Sequence, residues 1–132
     1  TISTEQTEYE TSARFPHEQS QLLEAIQKRE IEGVVFLSGD RHITELLRRQ
    51  PDGFYPLYEF TNSPLTASAA TDDRTPNRVD GTIVEQRNFG TLTVSGPRKD
   101  RELTLRTFDT EGEPLWERTI RAQDLTVPDG DD

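Results

Sequence analysis

The chain has 132 residues, enough for one compact domain, with 15 Lys and Arg against 25 Asp and Glu. The resulting formal net charge of −10 argues against nucleic acid as the main partner, because the phosphate backbone attracts basic surfaces. The absence of cysteine excludes disulfides and zinc–thiolate sites, and no apolar run approaches the roughly 20 residues that span a bilayer.

Residues 1–14 are polar, rich in Thr and Glu, and without an apolar period, which predicts a linker or the end of an upstream loop. The sequence contains no Met, so we expect it to come from a longer parent chain. The predicted domain covers residues 15–126, and the acidic residues 127–132 form a predicted tail.

A helix is predicted to begin at Pro16, because proline suits the first turn of a helix. Leu22, Leu23 and Ile26 recur at the spacing of one helical face, with polar residues between them. The next apolar run, Val34–Leu37, is short and rich in β-branched residues, which predicts a strand covered on both faces.

The rest of the chain predicts one more helix and then a series of strands. The second helix is expected over about Ile43–Gln50, followed by a strand over Tyr55–Thr61 and a long loop over Asn62–Asn77. Alternating patterns and turn signals predict four further strands: Thr82–Val84, Phe89–Val94, Glu102–Phe108 and Leu115–Arg121. This order predicts an α/β or α+β fold, in which a helix-flanked mixed sheet leads into an antiparallel β-meander.

The strongest chemical signal is the segment Ser38-Gly39-Asp40-Arg41-His42, which directly follows the first predicted strand. In open α/β sheets ligands bind beyond the carboxyl ends of strands, so Asp40 and His42 occupy a favourable place. Gly39 allows a sharp turn, and a carboxylate with an imidazole supplies oxygen and nitrogen donors for Fe, Mn, Zn or Ca. Metal sites need about four or more ligands, so the others have to come from elsewhere.

Simpler structural interpretations are open for the same residues. Asp40 is also a suitable N-cap for the predicted second helix, and His42 is also explained as an ordinary surface or half-buried histidine. We expect a surface or structural role for Arg41, because neighbouring side chains alternate in an extended segment. His17 is expected to be solvated in the first helical turn, whereas Asn62-Ser63-Pro64 follows a strand and either borders the site or forms a turn.

The stretch Phe15–Leu47, which contains the GDxH motif, resembles the C-terminal part of the PhoD-type alkaline phosphatases, a branch of the calcineurin-like metallophosphoesterases. The resemblance continues through Tyr55–Thr66, Asn77–Val79 and Arg87–Gly90, and along the closing strands to Leu125. It therefore covers most of the chain, and the combination is more specific than GDxH alone.

The resemblance implies a two-layered β-sandwich with flanking helices, of which this chain would form half, and a binuclear centre containing iron and calcium. In that family the Asp and His of GDxH serve the metal–phosphate site, so Asp40 and His42 are the implied metal ligands and catalytic residues. The implied substrates are phosphomonoesters or phosphodiesters, and export is implied as well. The family's upstream ligand motifs are absent from this sequence, which implies that the chain is inactive without the N-terminal part of the same enzyme.

Two functions from different classes follow. In the first, the chain is the C-terminal portion of a metal-dependent phosphoesterase. In the second, it is a non-enzymatic β-rich accessory or interaction domain, and GDxH is only a turn. Bound metal ions in the parent protein would distinguish the two functions, because only the first requires them.

Overall fold

In the computed structural model, residue 2, residues 12–71 and residues 75–128 are described. Within these residues the chain forms one α-helix, two 3-10 helices and six strands, which make up two three-stranded sheets. The predicted α+β class, with a mixed sheet followed by an antiparallel meander, is confirmed. Most of the predicted linker 1–14 and of the predicted tail 127–132 lies outside the described residues. No helix among the described residues is both long and apolar enough to cross a membrane.

The described elements follow a simple order, in which a single helix precedes three short strands and three longer ones. In sequence they are α1 (Pro16–Lys28), β1 (Val35–Ser38), β2 (Glu45–Arg49), β3 (Leu57–Thr61), β4 (Asn88–Ser95), β5 (Glu102–Asp109) and β6 (Pro114–Arg121). The two 3-10 helices, Ser12–Arg14 and Ala122–Leu125, lie at the two ends of this series.

Helix α1 begins at Pro16 as predicted and buries Ile26 in the core. Beyond its end, the Tyr55 hydroxyl donates a hydrogen bond to the Ile31 carbonyl oxygen (2.6 Å) and accepts one from the Val34 amide (3.2 Å). Tyr55 thereby ties the segment between α1 and β1 to the rest of the domain. Because its side chain is buried, the pKa of Tyr55 is raised above its ordinary value of 10.0.

The first sheet has the strand order β1-β3-β2, with β1 parallel and β2 antiparallel to the central strand β3. At the end of β1, Ser38 pairs with Thr61 of β3, and their hydroxyl oxygens are 2.8 Å apart. Because β1 and β2 flank β3 on opposite sides, residues 39–44, which connect them, cross the C-terminal end of β3. The segment that contains Asp40 and His42 therefore lies above the ends of two parallel strands.

The predicted helix over Ile43–Gln50 is wrong, because residues Glu45–Arg49 form strand β2. The apolar residues Ile43, Leu46 and Leu47 have helical spacing, which favours a helix when the segment is considered alone. In the structure both faces of the strand are covered, so consecutive residues from Ile43 to Leu47 are all buried and the period of two disappears.

Two strand predictions also need correction. The prediction that both faces of β1 are covered is wrong, because β1 lies at the edge of its sheet and Leu37 is 61% exposed. The predicted strand Thr82–Val84 is reduced to a single bridge between Val84 and Thr44, although Thr82 and Val84 are buried. The remaining strands lie within two residues of their predicted ends.

The second sheet is the antiparallel meander β4-β5-β6, and it packs on the first sheet through aromatic contacts. The ring of Phe60 in β3 meets Trp116 in β6 edge to face, with ring centroids 5.6 Å apart. Strand β4 approaches the same ring so closely that a Cβ atom at Gly90 would lie 2.7 Å from it. The absence of a side chain at Gly90 therefore allows the two sheets to meet at this point.

One side of the molecule is open between the two sheets. A groove of about 270 Å³ lies between the edge strands β1 and β4, and Leu37, Leu92 and Val94 are exposed along it. Leu103 and Ile120, from β5 and β6, also line it. No strand among the described residues pairs with the outer edge of β1 or of β4, so apolar side chains of both edge strands face solvent.

Replacing Tyr55 with Phe removes both hydrogen bonds of the hydroxyl and is expected to lower the free energy of unfolding by about 1 kcal/mol at neutral pH. Since folding favours the neutral phenol, this contribution is complete below pH 10.0 and is lost as the pH rises through the raised pKa. The difference in unfolding free energy between Tyr55→Phe and the unchanged chain is measured by urea unfolding at about pH 8 and about pH 11. Other titrating groups affect both proteins alike, so their contributions cancel in this difference. A difference that stays constant between the two pH values would contradict this role.

Candidate functional site

The candidate site is the turn of residues 39–42, which crosses the ends of β1 and β3. A Cβ atom at Gly39 would lie 3.6 Å from the backbone oxygen of Asn62, the residue that follows β3. The Asn62 amide donates a hydrogen bond to the Ser38 carbonyl oxygen (3.0 Å), which extends the pairing of the two strands to their ends. The turn and the end of β3 are therefore in direct contact.

Asp40 and His42 both have a left-handed backbone, with φ angles of 66° and 58°. Such angles are uncommon outside glycine, although Asp and His adopt them more often than most residues. The Asp40 side chain is exposed and His42 is half-buried, while the His42 carbonyl oxygen accepts a hydrogen bond from the Ala70 amide (2.8 Å). Unfavourable backbone angles of this kind cluster at functional sites, where the surrounding structure maintains them.

The interpretation of Asp40 as a helix N-cap is wrong, because a strand follows it. Within the described part of the chain, the Asp40 carboxylate and the His42 ring make no hydrogen bond or ion pair. The described residues also contain no group of three or more His, Cys, Asp or Glu that could hold a metal ion, and His17 is exposed on α1. Asp40 and His42 alone therefore do not complete a metal site.

A buried ion-pair network supports the turn. The Glu45 carboxylate is 0% exposed, and its oxygens lie 2.7 Å from Arg41 Nη1 and 2.8 Å from Arg78 Nε. The Thr75 hydroxyl accepts hydrogen bonds from both guanidinium groups, at 3.4 Å from Arg41 and 3.1 Å from Arg78. Since Arg41 lies in the middle of the turn, the network fixes the turn to strand β2.

This network gives Arg41 the structural role expected for it, and it also contains a residue to which the sequence assigns no role. Glu45 is an acid within the otherwise uncharged run Ile43–Leu47, and burial of an acid requires a counter-charge or hydrogen bonds. Glu59 is a second acid at 0% exposure, and both of its oxygens accept hydrogen bonds from the Ile2 amide, at 2.9 and 2.8 Å. For both Glu45 and Glu59, the sequence feature that indicates a buried acid is its position inside an apolar run.

A cluster of polar side chains, which we call the amide cluster, links the two sheets beside the turn and consists of Thr44, Asn62, Ser63 and Asn88. Nδ2 of Asn62 donates hydrogen bonds to Thr44 Oγ1 and to Asn88 Oδ1, both at 2.8 Å. Thr44 Oγ1 also accepts a hydrogen bond from the Ser63 amide at 3.1 Å, and Thr44 and Asn88 are buried. From the sequence, Asn62 and Ser63 either border the site or form a turn, and Thr44 and Asn88 have no predicted role there.

No family model matches the chain, and no curated protein and no solved structure matches it either.

Replacing Glu45 with Gln is expected to lower the free energy of unfolding by about 3 kcal/mol, because it removes a buried charge that two largely buried guanidinium groups share. The matched control is Glu117→Gln, which breaks an exposed pair with Arg106 and is expected to cost less than about 1 kcal/mol. Chemical denaturation of the three proteins measures both effects. Equal losses in the two variants would show that the buried network contributes no more than a surface pair.

Replacing Asp40 with Gly is expected to raise the free energy of unfolding by about 0.5 to 1 kcal/mol, because glycine adopts this backbone angle without a steric penalty. No packing is lost, since the Asp40 side chain is exposed. Glu30, which is also exposed and has a φ of 50°, provides the matched control Glu30→Gly, with the same expected gain. A loss of stability in Asp40→Gly alone, measured by thermal unfolding, would show that the Asp40 carboxylate has a structural role.

Proposed function

We propose that this chain is the C-terminal portion of a metal-dependent phosphoesterase related to the PhoD-type alkaline phosphatases, to which it contributes Asp40 and His42. The observation that carries the proposal is the position of these two side chains. They lie at the carboxyl ends of two parallel strands, and they have no hydrogen-bond partner within the described part of the chain. Ligands of α/β sheets bind at this edge, and the resemblance around GDxH supports the same assignment.

Asp40 and His42 are the residues that would hold a metal ion or contact the phosphate. A carboxylate suits calcium and iron, and an imidazole suits iron, which are the metals that the resemblance implies. When bound, such ions polarise phosphoryl oxygens and lower the pKa of the attacking water. The protein's own contribution is to hold both side chains in place, through the left-handed backbone and the ion pair between Arg41 and Glu45. The substrate class is a phosphomonoester or a phosphodiester.

Two donors do not complete a metal centre, since calcium takes about six to eight ligands. The N-terminal part of the same enzyme would supply the others, and the chain alone would be inactive. The open groove supports this arrangement, because Leu37, Leu92 and Val94 are exposed there, and contiguous apolar surface is typical of an interface.

A non-enzymatic accessory or interaction domain is the competing function. The apolar groove suits this function equally well, since it needs a partner but no chemistry. Metal content discriminates between the two, because a phosphoesterase of this kind requires bound ions whereas an accessory domain does not.

The experiment uses the full-length protein that contains this chain. Asp40→Asn and His42→Ala are each expected to lower kcat/KM for p-nitrophenyl phosphate and bis-p-nitrophenyl phosphate by about 100-fold or more, because each removes a metal or phosphate contact. Metal content, measured by inductively coupled plasma mass spectrometry, is expected to fall in the same variants. His17→Ala is the control, since His17 is exposed on α1, and it is expected to leave both readouts unchanged.

Unchanged turnover in Asp40→Asn and His42→Ala would contradict the proposal. A full-length protein with neither bound metal nor phosphatase activity would contradict it as well, and it would favour the accessory domain.

A further inference from the structure

The two outer strands of the meander, β4 and β6, differ in charge. Strand β6 contains three charged residues, Glu117, Arg118 and Arg121. Strand β4 (Asn88–Ser95) contains none, in a chain of which 30% is charged. Charged residues on an edge strand hinder its pairing with strands of other molecules. The edge of β6 is therefore protected in this way, and the edge of β4 is not.

The backbone of β4 has open hydrogen-bonding groups along this edge. The Asn88 amide donates a hydrogen bond to the Pro64 carbonyl oxygen (3.0 Å), so the Asn88 backbone faces away from β5. Backbone direction alternates along an antiparallel strand, so Gly90, Leu92 and Val94 face the same way. Within the described residues no strand pairs with this side of β4. These three residues therefore present their amides and carbonyl groups to a further strand.

The side chains of β4 form two rows beside these groups. Leu92 and Val94 line the groove, where they are 45% and 60% exposed, and Gly90 belongs to the same row. Thr91 and Thr93 are exposed on the opposite face of the meander, because side chains alternate along a strand. One row is thus apolar, the other carries hydroxyl groups, and both are uncharged.

We infer that β4 is a dimer interface, where it pairs antiparallel with β4 of a second copy and joins the two meanders into one continuous sheet. A two-fold contact requires a surface that matches itself, and β4 does so when Leu92 lies opposite Leu92 of the second copy. Gly90 then lies opposite Val94 in the apolar row. Thr91 lies opposite Thr93 in the hydroxyl row. This register gives each open amide of both copies a carbonyl partner.

The net charge of the chain favours this edge over its charged surfaces for self-association. Two copies that each carry −10 repel each other wherever charged surfaces meet, and β4 offers an uncharged one. Salt screens the repulsion, so the dimer is expected to tighten as ionic strength rises, whereas an interface of ion pairs would weaken. The inference does not rest on the proposed function, because the pairing involves neither Asp40 nor His42.

The first test measures the dissociation constant of the dimer by sedimentation equilibrium of the 132-residue chain, at about 0.1 M and about 1 M NaCl. Leu92→Glu places two like charges opposite each other at the centre of the contact, so it is expected to raise this constant at least about tenfold. The matched control is Leu115→Glu, which adds the same charge to β6, where Leu115 is 38% exposed, and is expected to change it much less. An equal mixture of Leu92→Glu and Leu92→Lys is expected to restore pairing.

The second test examines the register by cross-linking, because the chain contains no cysteine of its own. Directly opposed residues of this kind have Cα atoms about 5.5 Å apart, which lies within the range of a disulfide. With oxidised glutathione as the oxidant, Leu92→Cys is therefore expected to form a covalent dimer. Leu115→Cys is the control, and at the same concentration it is expected to remain without a disulfide between copies.

A chain that stays monomeric at both salt concentrations would overturn the inference. Equal effects of Leu92→Glu and Leu115→Glu, or equal cross-linking of the two cysteine variants, would overturn it as well, because the contact would then lie elsewhere. Thermal unfolding checks the fold of each variant, and if Leu92→Glu does not fold, the cross-linking of Leu92→Cys decides the result.

The full-length protein tests whether another strand occupies the edge. The amides of Gly90, Leu92 and Val94 are expected to become protected from hydrogen exchange only as dimers form. A monomeric full-length protein in which these amides are already protected would overturn the inference, because a strand of the same molecule would then pair with β4.

Discussion

The parallel pairing of β1 with β3 is the constraint on which the candidate site depends. With β2 on the far side of β3, the connection from β1 crosses the end of the central strand and brings Gly39 into contact with Asn62. A direct hairpin between β1 and β2 would leave the same residues in a tight turn, without a second parallel strand end beside them. The environment of Asp40 and His42 is thus a consequence of strand order as much as of the motif itself.

The helices and strands that depend on local sequence features could be predicted from the sequence. Helix α1 begins at a proline and carries an apolar face, and β5 alternates because one face of the meander is more exposed than the other. Strand β2 could not be predicted, because the groups that cover it come from distant parts of the chain and bury both of its faces. Arg78, for example, lies 33 residues beyond Glu45 and neutralises its charge inside the protein. The spacing of apolar residues indicates which side of a segment faces solvent. It therefore fails to identify a strand that tertiary contacts bury on both faces.

The same distinction applies to the site. Asp40 and His42 could be located because they follow a predicted strand directly, and ligands bind beyond strand ends. The role of Asn88 could not, because it depends on a contact with Asn62, which lies 26 residues earlier. Two long-range systems support the crossing segment, the ion-pair network through Glu45 and the amide cluster through Thr44. Since neighbouring residues of a strand point to opposite faces, the two systems support this segment from the two sides of the sheet.

The edge of β1 has a practical consequence for handling the isolated chain. Within the described residues its outer backbone groups have no strand partner, and the neighbouring Leu37 is exposed, so the edge can pair with that of another molecule. In dilute buffer the net charge of −10 keeps molecules apart by repulsion. Salt shortens the range of this repulsion to about 3 Å at about 1 M, while sulfate strengthens apolar contacts. Stock solutions of this chain will therefore keep best at low ionic strength, and ammonium sulfate will precipitate it readily.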